Sequence, residues 1–435
     1  MLSTCGQQFL DWSAAYRLFS HHRVSTDRLF DNVHHAVQVL LPSSQPLCLA
    51  IDDTLLRRTG THTHGVAWRR DPLGPKFHTN FVRAQRYLQI SAAVPSQQNP
   101  NAVRMVPLDF WHCPTPVRPR AKATAEQKTQ YRQDAKRMNL SVQLIARLQR
   151  LCNPAPTDPH SPRRPIHLLV DGQYTNGRVL KNLPPGTTLI GRIRKDAKLY
   201  YQPIAAASAR RGRRRSYGAL APTPEQIRTT EDPWETVEVF AAGITHQCRV
   251  KTVTGLLWRT AGLGLLLKLV VIAPLHYRPR SGSKLLYRRP AFLICTDPAL
   301  TTQQIVQQYV WRWDIEVNFR EEKSLLGVGD GQVRTVQATQ CLPAFQVAAY
   351  SMLLLAALRL PTADHDLLPP TKWAAHTKPQ RASTEHVLHC LRADVWGRGL
   401  GLETNFSDFL ENIKSDAKSE KFRPSLPSAL FYCNA

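Results

Sequence analysis

Two stretches of this chain stop in the same abrupt way. Pro46–Thr54 reads PLCLAIDDT and Ile166–Tyr174 reads IHLLVDGQY, each an apolar run that ends in acid. A continuous apolar run of this length predicts a strand buried on both faces. Buried strands that end in carboxylates place charge at the carboxyl edge of a sheet, where α/β proteins put their sites. If the two strands are parallel neighbours, Asp52 and Asp171 lie side by side. Like charges that close resist joint ionisation unless something positive stands between them. A hard divalent cation bound by oxygen ligands resolves the conflict.

The segments around these strands predict an α/β fold on a mixed sheet. Phe81–Val94 and Ala102–Trp111 read as two further strands. A long helical pattern rich in Lys, Arg and Gln covers Ala125–Leu151. A short helix to about Leu183 and a strand at Thr187–Arg194 follow the second acid. Strand, strand, strand, helix, strand, helix, strand is an α/β order. Residues 1–44 look helical, with Phe9, Trp12, Tyr16 and Phe19 at helical spacing. They serve either as a helical cap or as a DNA-contacting region. Residues 195–290 change character and predict a β-rich insertion with a basic loop. Ala291–Pro298 returns to the main fold as a strand. A helix capped by Thr301 or Thr302 follows, then a buried helix at Leu342–Leu360 and a tail region at 361–435. The catalytic fold is thus expected in two parts, 45–194 and 291–360.

Charge narrows the partners. Lys plus Arg number 57 against 32 Asp plus Glu, a formal net charge of +25. Such self-repulsion points to a polyanionic partner, with nucleic acid first and an anionic membrane second. No basic amphipathic helix or lipidation signal supports a membrane. The longest apolar stretch, Val347–Leu358, reads as a buried helix too short to span a bilayer. The basic run Ser208–Gly218, with Arg210, Arg211, Arg213, Arg214 and Arg215, is either a solvated loop or an arm along phosphates. Nine cysteines are scattered with no CxxC pair, which argues against a zinc ribbon and for buried thiols in a reducing cytoplasm. The first residues lack the basic start and apolar core of a signal peptide.

The stretch YVWRWDIEVNFREEK, Tyr309–Lys323, completes the set. On a continuous helix, with Tyr309 at zero, Arg312 falls at about 300°, Glu316 at about 340° and Lys323 at about 320°. Glu316 is therefore one acid on a stripe that otherwise carries a phenol and two cations. Arg312–Glu316 pairing at i,i+4 is the bland explanation. Against it stand Trp311, Trp313, Val317 and Phe319, which suggest a packed helix. Three carboxylates without His or Cys suggest Mg2+ or Mn2+ rather than zinc. The matching chemistry is two-metal phosphodiester cleavage or transfer.

These residues resemble those of DDE transposases of bacterial insertion sequences, which have a ribonuclease H-like catalytic fold. The insertion-sequence-four-type group carries Tyr-x2-Arg-x3-Glu-x6-Lys, which Tyr309, Arg312, Glu316 and Lys323 fit. Asp52-Asp53-Thr54 fits the Asp-x-Thr of the first acid, and Val170-Asp171-Gly172 fits the strand–Asp-Gly turn of the second. The resemblance spans roughly 45–360. It implies that Asp52, Asp171 and Glu316 hold the metal, Mg2+ with Mn2+ as substitute. It also implies that Tyr309, Arg312 and Lys323, with Arg320 beside them, grip phosphates. Trp258 is either core of the insertion or a platform for an unpaired base. Double-stranded DNA with transposon-end inverted repeats, target DNA, a homodimer on DNA and a bacterial cytoplasmic location follow from the same resemblance. Asp53 adjoins Asp52, but strand alternation lets only one of them face the site. Asp297 reads as a turn or cap residue. A nuclease on the same fold and a DNA-binding derivative without catalysis remain as alternatives.

Overall fold

The computed structural model describes residues 13–399 except 22, 61, 72–73, 76, 79, 97–98, 153–163, 204–214, 263, 278–283, 285 and 360–382. In chain order the elements are α1 (Ser13–Ser20), α2 (Thr26–Leu40), β1 (Leu47–Arg57), β2 (Ala67–Arg70), β3 (Phe81–Pro95), β4 (Val103–His112), α3 (Ala125–Arg137), α4 (Leu140–Cys152), β5 (Ile166–Val170), α5 (Gly177–Leu180), β6 (Thr187–Arg192) and α6 (Pro224–Thr229). They continue with β7 (Glu235–Ala241), β8 (Ile244–Leu256), β9 (Leu267–Ile272), β10 (Leu275–Tyr277), β11 (Leu286–Arg288), β12 (Ala291–Cys295), α7 (Thr302–Trp311), α8 (Asp314–Ser324), α9 (Val336–Arg359) and α10 (Thr384–Gly399). Two compact units result, Val37–Phe319 and Met1–Ala36 with Arg320–Ala435.

The larger unit is built on one sheet. Its strand order is β2-β3-β1-β5-β6-β12-β9-β8-β7, with β4 also paired to β3. The length of β3 allows this: β2 pairs with its first residues and β4 with the rest. β1, β5 and β6 run parallel, while β3 and β4 are antiparallel. The block β4-β3-β1-β5-β6 with helices on its faces is the ribonuclease H-like arrangement. Ala50, Leu169 and Ile190 on the sheet meet Ile305 and Val306 of α7 and Ile315 and Phe319 of α8 in one core. Residues 195–290 are β-rich, yet their long strands do not fold apart. β7, β8 and β9 extend the main sheet through β12, whose edge would otherwise leave backbone groups unpaired.

Helix α7 buries polar side chains, Gln307 and Gln308, beside the apolar Ile305 and Val306. Thr301 caps it through a capping box with Gln304, while Asp297 accepts the Ala299 amide in a turn. Gln307 is buried, and its amide exchanges two hydrogen bonds with the Phe240 backbone on β7, at 2.8 and 3.0 Å. Gln308 meets the ring of His167 on β5 at 2.8 Å. Buried polar groups are tolerated here because each has a partner. The single helix expected over 125–151 is two, α3 and α4. Asn139 breaks it by accepting the Ser141 amide at 3.1 Å, the local bond that competes with helix continuation.

In the smaller unit α1 packs on α9, with Phe19 against Phe345 at 5.2 Å between ring centroids. Val387 of α10 packs on Ala357 of α9. The described helices from both chain ends therefore share α9 as their support. Glu321 accepts from Tyr350 and Thr384, both at 2.6 Å. At 24 residues α9 is longer than its apolar run suggested, and it is apolar enough to cross a membrane by length and composition. More than half of that apolar window is nevertheless buried within the protein, as in the core helix of a soluble fold.

Candidate active site

Register decides how the first two acids meet. On the parallel pair β1 and β5, Ile51 lies opposite Val170, so Asp52 and Asp171 are the next residues on adjacent strands. Alternation places Asp52 on the face of Ala50 and Asp171 on the face of Leu169, the side covered by α7 and α8. Asp171 Oδ1 accepts from the amides of Gln173 and Tyr174 at 2.9 and 3.3 Å, which folds the chain into a tight turn. Asp53 faces the opposite side. Its carboxylate takes Tyr174 Oη–H at 2.7 Å and Gln173 Nε2–H at 2.9 Å, with Arg86 Nε 3.2 Å away.

The third acid comes from a helix that is not continuous. Tyr309–Lys323 was expected as one helix; α7 ends at Trp311 and α8 begins at Asp314. Across the join Ile315 bonds back to Arg312 and Glu316 to Trp313, three residues each. Such tightened turns advance the chain faster than an α-helix, so the angles of a continuous wheel do not hold here. Contacts still gather three of its residues. Arg312 Nη1 reaches Asp52 Oδ2 at 3.2 Å and Nη2 reaches Glu316 Oε1 at 3.1 Å. The Arg312 guanidinium also lies 5.7 Å from the centre of the Tyr309 ring.

Arg312 thus stands between two of the three acids. Its expected role was a phosphate grip; in this structure it is a bridge between carboxylates. Burial pushes the Asp52 carboxyl up to about 7, Asp171 adds to the rise, and Arg312 only partly opposes it. Burial also works against the charge of Arg312, but Tyr309, Asp52 and Glu316 outweigh it and hold its pKa above the ordinary value. Tyr309 is raised chiefly by burial, with Arg312 and Arg192 opposing.

A cleft of about 1050 Å³ opens beside this cluster. It begins at Gly172, next to Asp171, and Trp258 lines it half-buried. Its cations were not singled out in the sequence. Arg194 and Arg228 are paired with Asp196 and Glu225. Arg192, Lys198 and Arg289 also line it, with no carboxylate partner among the described residues. The signal was present in TTLIGRIRKDAK, where an apolar run gives way to cations much as those of β1 and β5 give way to acids, although β1 itself runs on to Arg57. Gly177 keeps the cleft wall close: a Cβ there would lie 2.5 Å from the Thr260 carbonyl oxygen.

Three of the other expected DNA contacts are exposed among the described residues. Arg320 is exposed, 4.0 Å from Glu321. Lys323 is exposed in the last turn of α8 and belongs to the smaller unit with Arg320. Arg215 is exposed, while Arg210, Arg211, Arg213 and Arg214 lie outside the described residues.

Residues 11–260 match the family model of the DDE superfamily endonucleases. The chain belongs to this superfamily. The matched span of this endonuclease holds Asp52 and Asp171 and stops before Glu316. No curated protein matches the chain. DDE superfamily endonuclease domains generally use divalent metals. The donors here fit such an ion in kind: hard carboxylate oxygens, one of them with its pKa raised to about 7 by burial. They are not drawn together, since no three His, Cys, Asp or Glu among the described residues form a ready metal group. The Arg312 guanidinium lies between Asp52 and Glu316.

Proposed function

We propose that this DDE superfamily endonuclease is a DNA transposase of the insertion-sequence-four-type group. It cuts at the inverted-repeat ends of its element and joins the freed 3′ ends to target DNA. The observation that supports this reading most directly is the Arg312 bridge, which ties the helix acid Glu316 to the strand acid Asp52, itself next to Asp171. One Arg between carboxylates marks a place built for positive charge. Mg2+, or Mn2+ in its stead, held by Asp52, Asp171 and Glu316, would stabilise charge on the attacking and leaving oxygens of the phosphodiester.

The chain's own groups do the rest. Asp52, whose pKa burial raises, is held in its charged form as positive charge arrives. Arg312, released from the carboxylates, turns its planar fork to a phosphate. Tyr309 stays protonated and donates to the same backbone. Arg192 and Lys198 draw the strand along the cleft past Trp258, whose half-buried ring offers a stacking surface. The protein works on double-stranded DNA as a homodimer that brings two ends together, in a bacterial cytoplasm.

A nuclease on the same fold would cut with the same acids and join nothing. A strand-transfer assay with matched and scrambled ends separates the two. Mg2+-dependent cutting and joining restricted to matched ends is the expected result. Cutting of any DNA without joining would overturn the transposase reading. Inverted repeats in the DNA flanking the gene supply the matched ends.

A further inference from the structure

Asp53 does not fit the role its sequence neighbour suggests. It adjoins Asp52, yet both of its oxygens are engaged on the other face of β1. Its partners Gln173 and Tyr174 are the residues that follow the Asp171-Gly172 turn. Each of the two is held at both ends. Their backbone amides donate to Asp171 Oδ1 at 2.9 and 3.3 Å. Their side chains donate to Asp53 Oδ1 at 2.9 and 2.7 Å. Asp53 therefore grips the two residues that orient the Asp171 carboxylate.

We propose that Asp53 is a positioning residue that pins the Asp171 turn to β1 and so sets the spacing of Asp52 and Asp171. This rests on the reading of those two acids as metal ligands. The hold is firm for two reasons. Tyr174 is 1% exposed, so water does not compete for its hydroxyl. Arg86 Nε stands 3.2 Å from Asp53 Oδ2 without hydrogen-bond alignment and supplies balancing charge. Groups that orient metal ligands typically cost 10–100-fold in metal affinity when removed.

The test uses the full chain, with Mn2+ titration followed by electron paramagnetic resonance, and amide exchange of peptides covering residues 171–176. In Asp53→Ala the half-saturating Mn2+ concentration should rise about tenfold, and exchange of 171–176 should quicken while β6 is unchanged. Tyr174→Phe should move both readouts the same way by less, and the double variant should match Asp53→Ala alone. Asp52→Ala should bind no Mn2+. Unchanged exchange and unchanged half-saturation in Asp53→Ala would overturn the proposal. So would lost Mn2+ binding in Asp53→Ala with binding retained in Asp52→Ala, which would make Asp53 the ligand. A wild type that binds no Mn2+ refutes the functional reading instead, and the exchange result then judges the anchor by itself. If Asp53→Ala does not fold, Tyr174→Phe and Gln173→Ala decide by the same two readouts.

Discussion

Asp52 and Asp53 are adjacent in sequence and carry the same side chain, but the two faces of β1 treat them differently. Asp53 meets a phenol, an amide and a guanidinium and has its charge answered within the protein. Asp52 meets a second acid beside it and one Arg that it shares with Glu316. A carboxylate that the fold fully satisfies is structural. One that burial and a like charge leave poised to lose or keep its proton is available for chemistry.

The sharpest way to break this contrast is to neutralise each acid of the poised face. Asp52→Asn, Asp171→Asn and Glu316→Gln should each lower metal-dependent cleavage by on the order of a thousandfold or more, as loss of several kcal/mol of transition-state stabilisation implies. Gel-shift measurement should find DNA binding intact. Retained cleavage in all three variants would dissolve the distinction between the faces.

Arg312 comes next. Removing one partner of a buried pair typically costs about 3–5 kcal/mol. Asp52 can protonate near neutrality, so Arg312→Ala should cost less, roughly 1–3 kcal/mol in denaturant melts. Arg312→Lys should recover little, because a point charge cannot bridge two carboxylates as a fork does.

A pH series isolates the charge conflict itself. The folded-state pKa of Asp52 is raised, to about 7, above its unfolded value. The folded protein therefore holds a proton that the unfolded chain has lost, and stability from this group falls as pH rises from about 4 to about 7. Asp52→Asn should accordingly melt higher than the metal-free wild type above pH 7, by on the order of a few kcal/mol. The advantage should shrink towards pH 4.

The smallest effects belong to the cleft. Arg192→Ala and Lys198→Ala should each weaken DNA binding evenly across sequences and flatten the salt dependence by about one unit of slope. Fluorescence anisotropy over a salt series reads this. An unchanged slope would remove the cleft from the DNA path.

The fold was legible where one strong local signal sufficed. Apolar runs ending in acid located β1 and β5, and the cap expected at Thr301 or Thr302 located the start of α7. It was less legible where local signals competed. Asn139 broke an otherwise helical pattern, and the tight join at Arg312–Trp313 split a helix whose periodicity ran through it. Residues 195–290 read as a β-rich insertion, and nothing periodic in the sequence marks the β9–β12 pairing that joins β7, β8 and β9 to the main sheet.

The sequence by itself determined which groups are on offer: apolar runs that stop at Asp52-Asp53 and at Asp171, a Tyr-Arg-Glu-Lys spacing, and an excess of positive charge. Only the tertiary structure decided what each face of β1 offers Asp52 and Asp53, that Arg312 bridges Asp52 and Glu316, and that Arg192 and Lys198 line the cleft that begins at Gly172. Strand register and side-chain alternation fix which face a residue occupies, and both depend on pairing across the whole sheet. Residue identity is local, but the charge a residue feels comes from neighbours hundreds of positions away.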